Sequence, residues 1–564
     1  MKKTIILITT VLFSCVMTLA QEKGYVSASF ESTDHFYVND PVNDNFSITE
    51  DLPQIKEGGF HASNNYLKVD YYKGRFSAGT QIEGYFPFLV GYPTNLNNMA
   101  LSNLYVKWRD ESYSVTVGTF YDQFGSGLLF RSWEDRTLGL NNAIDGVRAT
   151  YNFKNYVSVK VLWGIPHLGT GNDNGEFFGF GIPHLRIRKD DEESFCRKFK
   201  KLHVAGADLS VSLSDIFSMD KTSLSVEGSV LNKHEAVSDL YAERGYRPNM
   251  FGWSGRVNFD YDGFFAKGEY VDAGKQMLAA NRPPVKGNAQ LIELGYNGRG
   301  LGVTVTGRRM QQMLQKIYTY DRDNRNFTNN ALSYRPAMTT QYTYMLTTLH
   351  PYNPEIGDQM YPGEIGGQID AFYNFRRGTK IGGKRGMKVH ANFSTYYSLN
   401  ENYGTKGSTR LFRDFSFDVE KQWTKKFKSV LLYSMQDYNK ISAESGAYIG
   451  MSHIVVADLL YKFTSSFSTR LELQYLATKN DRKDWMAGLL EVNFAPHWSV
   501  FASDMFNHGD TKRHYYNAGV SFAMNHLRVA AGYGRYRAGF ICSGGVCRAI
   551  PAYTGANLTL TASF

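Results

Sequence analysis

The chain has 564 residues, of which 43% are hydrophobic, 15% aromatic and 20% charged, with 53 glycines and a formal net charge of +9. Mean hydropathy is negative, and no stretch supplies the roughly 20 consecutive apolar residues that a transmembrane helix needs. That leaves a soluble exported protein or a membrane β-barrel. The aromatic and glycine content favours the barrel, because interfacial girdles use Tyr, Trp and Phe and tight turns use Gly.

At the front, Lys2 and Lys3 precede an apolar run from Ile5 to Val16, and Thr18-Leu19-Ala20 offers small residues before Gln21. This pattern predicts a secretory signal peptide over residues 1–20 and a mature domain over residues 21–564. Leu12-Phe13-Ser14-Cys15 also resembles a lipoprotein cleavage site, although the bulky Phe13 argues against it. Removing the signal peptide subtracts Lys2 and Lys3, so +9 − 2 leaves +7. On a chain this long that charge is mild and does not imply nucleic acid.

From Gln21 onward, segments of about eight to twelve residues alternate apolar and polar, the period of a half-buried strand. The gaps between them alternate long and short. After a first strand near Gly24–Glu31 and a long gap, Tyr66–Tyr72 and Arg75–Glu83 are joined by Lys73-Gly74. Leu101–Arg109 meets Ser112–Thr119 across Asp110-Glu111, and Ile144–Phe153 turns through Lys154-Asn155 into Tyr156–Trp163. Asp262-Gly263 and Asn297-Gly298 are further hairpin signals. The same beat runs to the C-terminus, with its longest gap between Arg308 and Ile365. The count is about 24 strands, within a range of roughly 18 to 26. Short turns at one end and long loops at the other predict a transmembrane antiparallel up-and-down β-barrel with periplasmic turns and extracellular loops.

If the apolar side of each strand faces lipid, the other side faces the lumen. Phe467, Thr469, Leu471, Leu473 and Tyr475 then point outward, while Arg470, Glu472 and Gln474 point inward. Phe415, Phe417 and Val419 oppose Asp414, Ser416, Asp418 and Glu420, and Val389, Ala391 and Phe393 oppose Lys388, His390 and Asn392. Further inward candidates are Lys68, Asp70, Lys107, Arg148, Lys160, Arg256, Asp260, Gln368 and Asp370. A charge on the lipid face costs roughly 2 to 4 kcal/mol at the midplane, so these charges must look into water or pair. Two readings stay open: ion pairing along the wall, or opposite walls of opposite charge that guide a solute.

One long loop, Tyr121–Ile144, carries Leu128, Leu129, Phe130, Trp133, Leu138 and Leu140. It must bury them, most simply in the barrel mouth. Arg131, Glu134, Asp135, Arg136, Asp145 and Arg148 are the candidates for a lumen constriction. The gap from Gly164 to Leu202 repeats Gly-Ile-Pro-His-Leu at His167 and His184, where turn chemistry competes with metal or ligand binding. Asp190–Glu193 with Arg197, Lys198, Lys200 and Lys201 reads as a solvated segment. Asn172–Gly175 and Asp321–Asn324 are calcium-like fragments that lack the bidentate Glu of an EF-hand. Gly125-Ser126-Gly127 lacks the context of a nucleophile elbow, and no metal, cofactor or catalytic signature is evident.

Cys542 and Cys547 enclose Ser-Gly-Gly-Val and are placed to close a small disulfide loop in an oxidising compartment, leaving Cys196 unpaired. A metal pair would need a nearby His or second Cys pair. The last strand alternates Ala556, Leu558, Leu560, Ala562 and Phe564 with Asn557, Thr559, Thr561 and Ser563, right to the end. Such an ending resembles the closing strand of bacterial outer-membrane barrels. Together with Ala20-Gln21 and the block Phe124-Gly-Ser-Gly through Asp145-Gly-Val-Arg148, it resembles a family of uncharacterised, porin-like outer-membrane proteins of Bacteroidetes-type bacteria. The resemblance implies the Gram-negative outer membrane, contact with its lipid and lipopolysaccharide, and no transferable activity. The expected function is passage of polar solutes or a polymer through a loop-gated lumen, without enzymatic activity. The alternative is a sealed barrel whose loops bind a partner protein or glycan, above all Met310–Glu364 with Tyr318, Tyr320, Tyr342 and Tyr344.

Overall fold

In the computed structural model the described residues are 24–52, 59–92, 98–166, 202–237, 242–276, 283–313, 315, 332–349, 363–400, 406–438, 450–479, 482–544 and 546–564. Residues 1–20, where a signal peptide is expected, Cys196, Tyr318, Tyr320, the charged run at 190–201, the Gly-Ile-Pro-His echo with His167 and His184, and both calcium-like fragments lie outside them.

Twenty-four antiparallel strands form one sheet. Each pairs with its neighbours in sequence, from Tyr25–Val38 to Tyr553–Ser563. The first and last strands then pair with each other, Ser29 opposite Ser563 through Val38 opposite Thr554, so the sheet closes and no edge is left open. Closure gives the first and last strands the partners that an open sheet would lack, which is the condition for β-structure in hydrocarbon. The cylinder expected from sequence is what the chain builds.

The two faces follow the two-residue period. Along Phe467–Thr478, Leu471, Leu473 and Tyr475 are 38, 50 and 37% exposed, while the alternating Glu472 and Gln474 are 4 and 5%. Leu431, Val455, Leu490 and Val500 continue the outward apolar band on adjacent strands. These residues are exposed to lipid, because a band of this size would not be left in water.

Several strands outrun their apolar pattern at the long-loop end. The first reaches Val38, the second starts at His61, and Phe264–Gln276 and Val285–Gly298 pair up to Gln276 and Val285. Beyond the membrane the ladder continues but neither face needs to be apolar, so periodicity stops before pairing does.

Strand spacing of about 4.8 Å and a tilt near 40° give a 24-strand cylinder roughly 45 Å across if circular. Wall side chains alone do not fill that width. Loops do: the buried hydrophobic clusters of this protein join inward loops to the inner wall.

Candidate functional site: a lumen crossed by inward loops

Three segments meet inside the barrel. The first is 121–143, built from two small hairpins, Gln123–Phe124 with Phe130–Arg131 and Glu134–Asp135 with Leu140–Asn141. Phe124, Leu128, Leu129 and Phe130 are at most 1% exposed and pack on Leu162, Val204, Leu231, Val271 and Met310 of the inner wall. The contact is close: a Cβ on Gly206 would lie 2.7 Å from Phe124 Cε2, so glycine lets the ring reach the strand. The apolar loop residues drive the segment inward because water is their only other partner.

Its polar residues find the charged wall. Asp122 takes Lys160 Nζ at 2.6 Å and pairs with Arg148. Ser126 N donates to Glu269 Oε2 at 3.2 Å. Arg136 reaches Glu31 at 2.7 Å, Glu134 at 3.0 Å and Gln81 Oε1 at 3.2 Å, and its guanidinium lies 4.4 Å from the Tyr66 ring centre. Burial works against the Arg136 charge, but Glu134 and Glu31 outweigh it and hold its proton more tightly than water would.

The second segment, 332–349, runs across the opposite part of the wall. Thr339 Oγ1 donates to Asp414 Oδ2 at 2.9 Å, Thr340 Oγ1 to Asp370 at 3.3 Å and Tyr342 Oη to Asp418 Oδ2 at 2.7 Å. His390 stands between Asp370 and Asp418, 2.8 and 2.7 Å away. Tyr344 Oη donates to Asp458 at 3.4 Å. Gln474 Oε1 accepts from Leu346 N at 2.8 Å, and Leu346 itself is fully buried against Leu432, Ile454, Val456, Leu476 and Trp485. This corrects the expectation of a surface loop for Tyr342 and Tyr344. Both rings turn into the lumen, where wall carboxylates accept their hydroxyl protons and Leu346 anchors the chain.

The third segment is the hairpin Gly539–Ser543 with Val546–Ile550, in which Cys542 lies opposite Cys547 in the ladder and is disulfide-bonded. Val546 packs with Trp133, Leu138 and Leu140. Arg548 Nε donates to Thr137 O at 2.9 Å, and its guanidinium lies 3.9 Å from the Tyr92 ring centre.

The three segments also hold one another. Arg131 N donates to Leu332 O and Tyr334 N to Gly127 O, each at 2.9 Å, and Arg335 N donates to Gly544 O at 2.8 Å. The Arg131 guanidinium stacks 3.9 Å over Tyr334 and 5.2 Å from Trp133. Gly544, at φ +59°, sits where a Cβ would be 2.2 Å from the Tyr334 ring. Loop contacts therefore reach the wall from Glu31 and Gln81 round to Trp485 and Tyr515.

The constriction candidates do not form one ring. Glu134 and Arg136 join, Arg148 belongs to the Asp122 and Lys160 cluster, and Arg131 serves the contact between loops. Asp135 Oδ1 accepts from Thr137 N at 3.0 Å within its own turn, and Asp145 Oδ1 accepts from Thr119 Oγ1 at 2.8 Å. The wall charges pair locally: Lys68 with Asp70 at 3.3 Å, Arg256 with Glu227 at 2.7 Å and with Asp208, Glu420 with Lys428 at 2.7 Å, and Arg470 with Asp458 at 2.9 Å and Glu472 at 2.6 Å. Opposite walls of opposite charge are thus not what these contacts build. Asp122, Glu31, Gln81 and Tyr334 escaped the sequence reading; Asp122 alone had a signal, as an acid beside the apolar loop.

No curated protein matches the sequence. Among solved structures, the translocation pore of the P pilus usher PapC is similar at TM-score 0.44 and 8% identity, over 96% of this chain and 99% of that one. The siderophore receptor PirA from Pseudomonas aeruginosa follows at TM-score 0.38 and 7% identity, over 96% and 81%. A mutant of Rh. blastica porin reaches TM-score 0.26 and 11% identity, over 57% and 93%. The family model described as a family of unknown function (DUF6029) matches residues 1–564, and the chain belongs to that family.

Proposed function

We propose that this protein is an outer-membrane pore whose lumen is closed by its own loops and opens when they move, passing a polar solute or a polymer. The observation that carries the reading is the mutual packing of segments 121–143, 332–349 and 539–550 across the barrel interior, held to the wall by hydrogen bonds and ion pairs as well as apolar contacts. Polar footings on a charged wall have water as a ready substitute partner when a loop leaves, so each is weak in net terms. An all-apolar seal would lack that exchange.

In this reading residues 1–20 are a removable export signal, residues 21–564 form the barrel, and the protein acts without catalysis. The lipid-facing band contacts outer-membrane lipid, and lipopolysaccharide at the long-loop end.

Planar-bilayer conductance tests the proposal. The full chain is expected to show low conductance with brief openings, and deletion of residues 125–140 to give a large, steady conductance. Unchanged conductance after the deletion discards the loop gate. A full chain that never opens, beside a deletion variant that conducts, replaces the pore with a sealed barrel presenting its loops to a protein or glycan.

A further inference from the structure

The short-turn end of the barrel is electrically lopsided. In the turns between Lys73 and Phe264, cations are answered by Asp110, Glu111, Asp215, Asp220 and Asp262. Past Phe264 this balance ends. The turn 376–386 alone holds Arg376, Arg377, Lys380, Lys384 and Arg385 with no carboxylate, a surplus of five where the whole chain has nine. Lys425, Lys426 and Lys462 extend it over the two neighbouring turns at the same end, all exposed.

These turns form one surface. Lys421 Nζ donates to Ile381 O at 2.9 Å, and Lys426 Nζ to Phe463 O at 2.9 Å, bridging each turn to the next. The turn 376–386 is itself ordered, with Gly378 N bonded to Gly383 O at 2.7 Å and Gly383 N to Thr379 O at 2.8 Å. It leaves Ile381 55% exposed among its cations. Directly adjoining are Trp423, Phe463 and Tyr461, 54, 45 and 40% exposed on the lipid side.

We propose that this arc binds the anionic headgroups of phospholipids in the adjoining leaflet. Aromatic side chains of this kind settle at headgroup depth, which places the lysine and arginine heads at the level of the lipid phosphates. Arginine presents a fork that matches a phosphate. The exposed Ile381 gains by dipping into the interface beside them. An acidic protein would find the same charge, but would leave the aromatic collar and the apolar tip unexplained.

The test uses the full chain, delipidated in detergent and titrated with phosphatidylglycerol or phosphatidylcholine of the same acyl chains, with bound lipid counted by native mass spectrometry. Phosphatidylglycerol is expected to be retained roughly fivefold or more over phosphatidylcholine, falling towards parity in salt. The variant Arg376→Gln/Arg377→Gln/Lys380→Gln/Lys384→Gln/Arg385→Gln should lose the preference, and Lys73→Gln/Arg75→Gln should keep it. If the fivefold variant fails to fold, Lys425→Gln/Lys426→Gln should show a partial loss. Parity in the wild type, or a preference that survives neutralisation, overturns the proposal; parity together with capture of polyglutamate points to an acidic protein instead. Conductance is unaffected by either outcome, so this result stands apart from the gate.

Discussion

Replacing Leu346 by Ala probes the anchor of the second inward segment. Leu346 is fully buried between Leu432, Ile454, Val456, Leu476 and Trp485, on a segment that is also held by the buried Leu332, Met338 and Leu349 and by hydrogen bonds exchangeable with water. Truncating a buried Leu costs about 2 to 5 kcal/mol, from lost transfer energy plus the cavity left behind. If the open state releases this side chain, the cost falls on the closed state alone. The ratio of closed to open then drops by about thirtyfold at the lower figure, since 1.36 kcal/mol is a factor of ten. Single-channel recording reads this as a rise in open probability. Leu473→Ala, on the lipid face of the same wall, should leave it unchanged. A lower thermal midpoint in detergent with unaltered open probability would refute the reasoning, because 332–349 would then be a fixed part of the fold.

Arg136→Ala removes the cation that Glu31 and Glu134 share; the site is partly hydrated, so about 1 to 2 kcal/mol of stability should be lost, and the reversal potential in a salt gradient should move towards cation selectivity. Gly544→Ala forces a side chain into a left-handed position against Tyr334, costing about 1 to 3 kcal/mol locally, which protease cleavage in the hairpin at 539–550 should report. Cys542→Ser opens a small disulfide loop worth about 2 kcal/mol in chain entropy; it should loosen the hairpin from Trp133 and raise open probability, and chemical reduction of the wild type should mimic it.

The wall of this barrel was written locally. Alternation in segments such as Phe467–Thr478 and turns such as Asp262-Gly263 act over a few residues, so they mark strands, faces and strand number without reference to the rest of the chain. Closure itself follows from an even meander that leaves no edge in lipid. The buried loop 121–143 was legible for a related reason, because six large apolar residues in a loop must find cover. What the loop touches was not: Arg136 meets Glu31 across 105 positions and Tyr342 meets Asp418 across 76. Tyr342 reads equally well as a surface ring or an interior one, because an amphipathic side chain suits both. Only the closed wall, with its carboxylates turned inward and a lumen too wide for side chains to fill, decided that 332–349 turns into the lumen, and which wall charges, left open between pairing and a solute path in one dimension, meet each other or the loops.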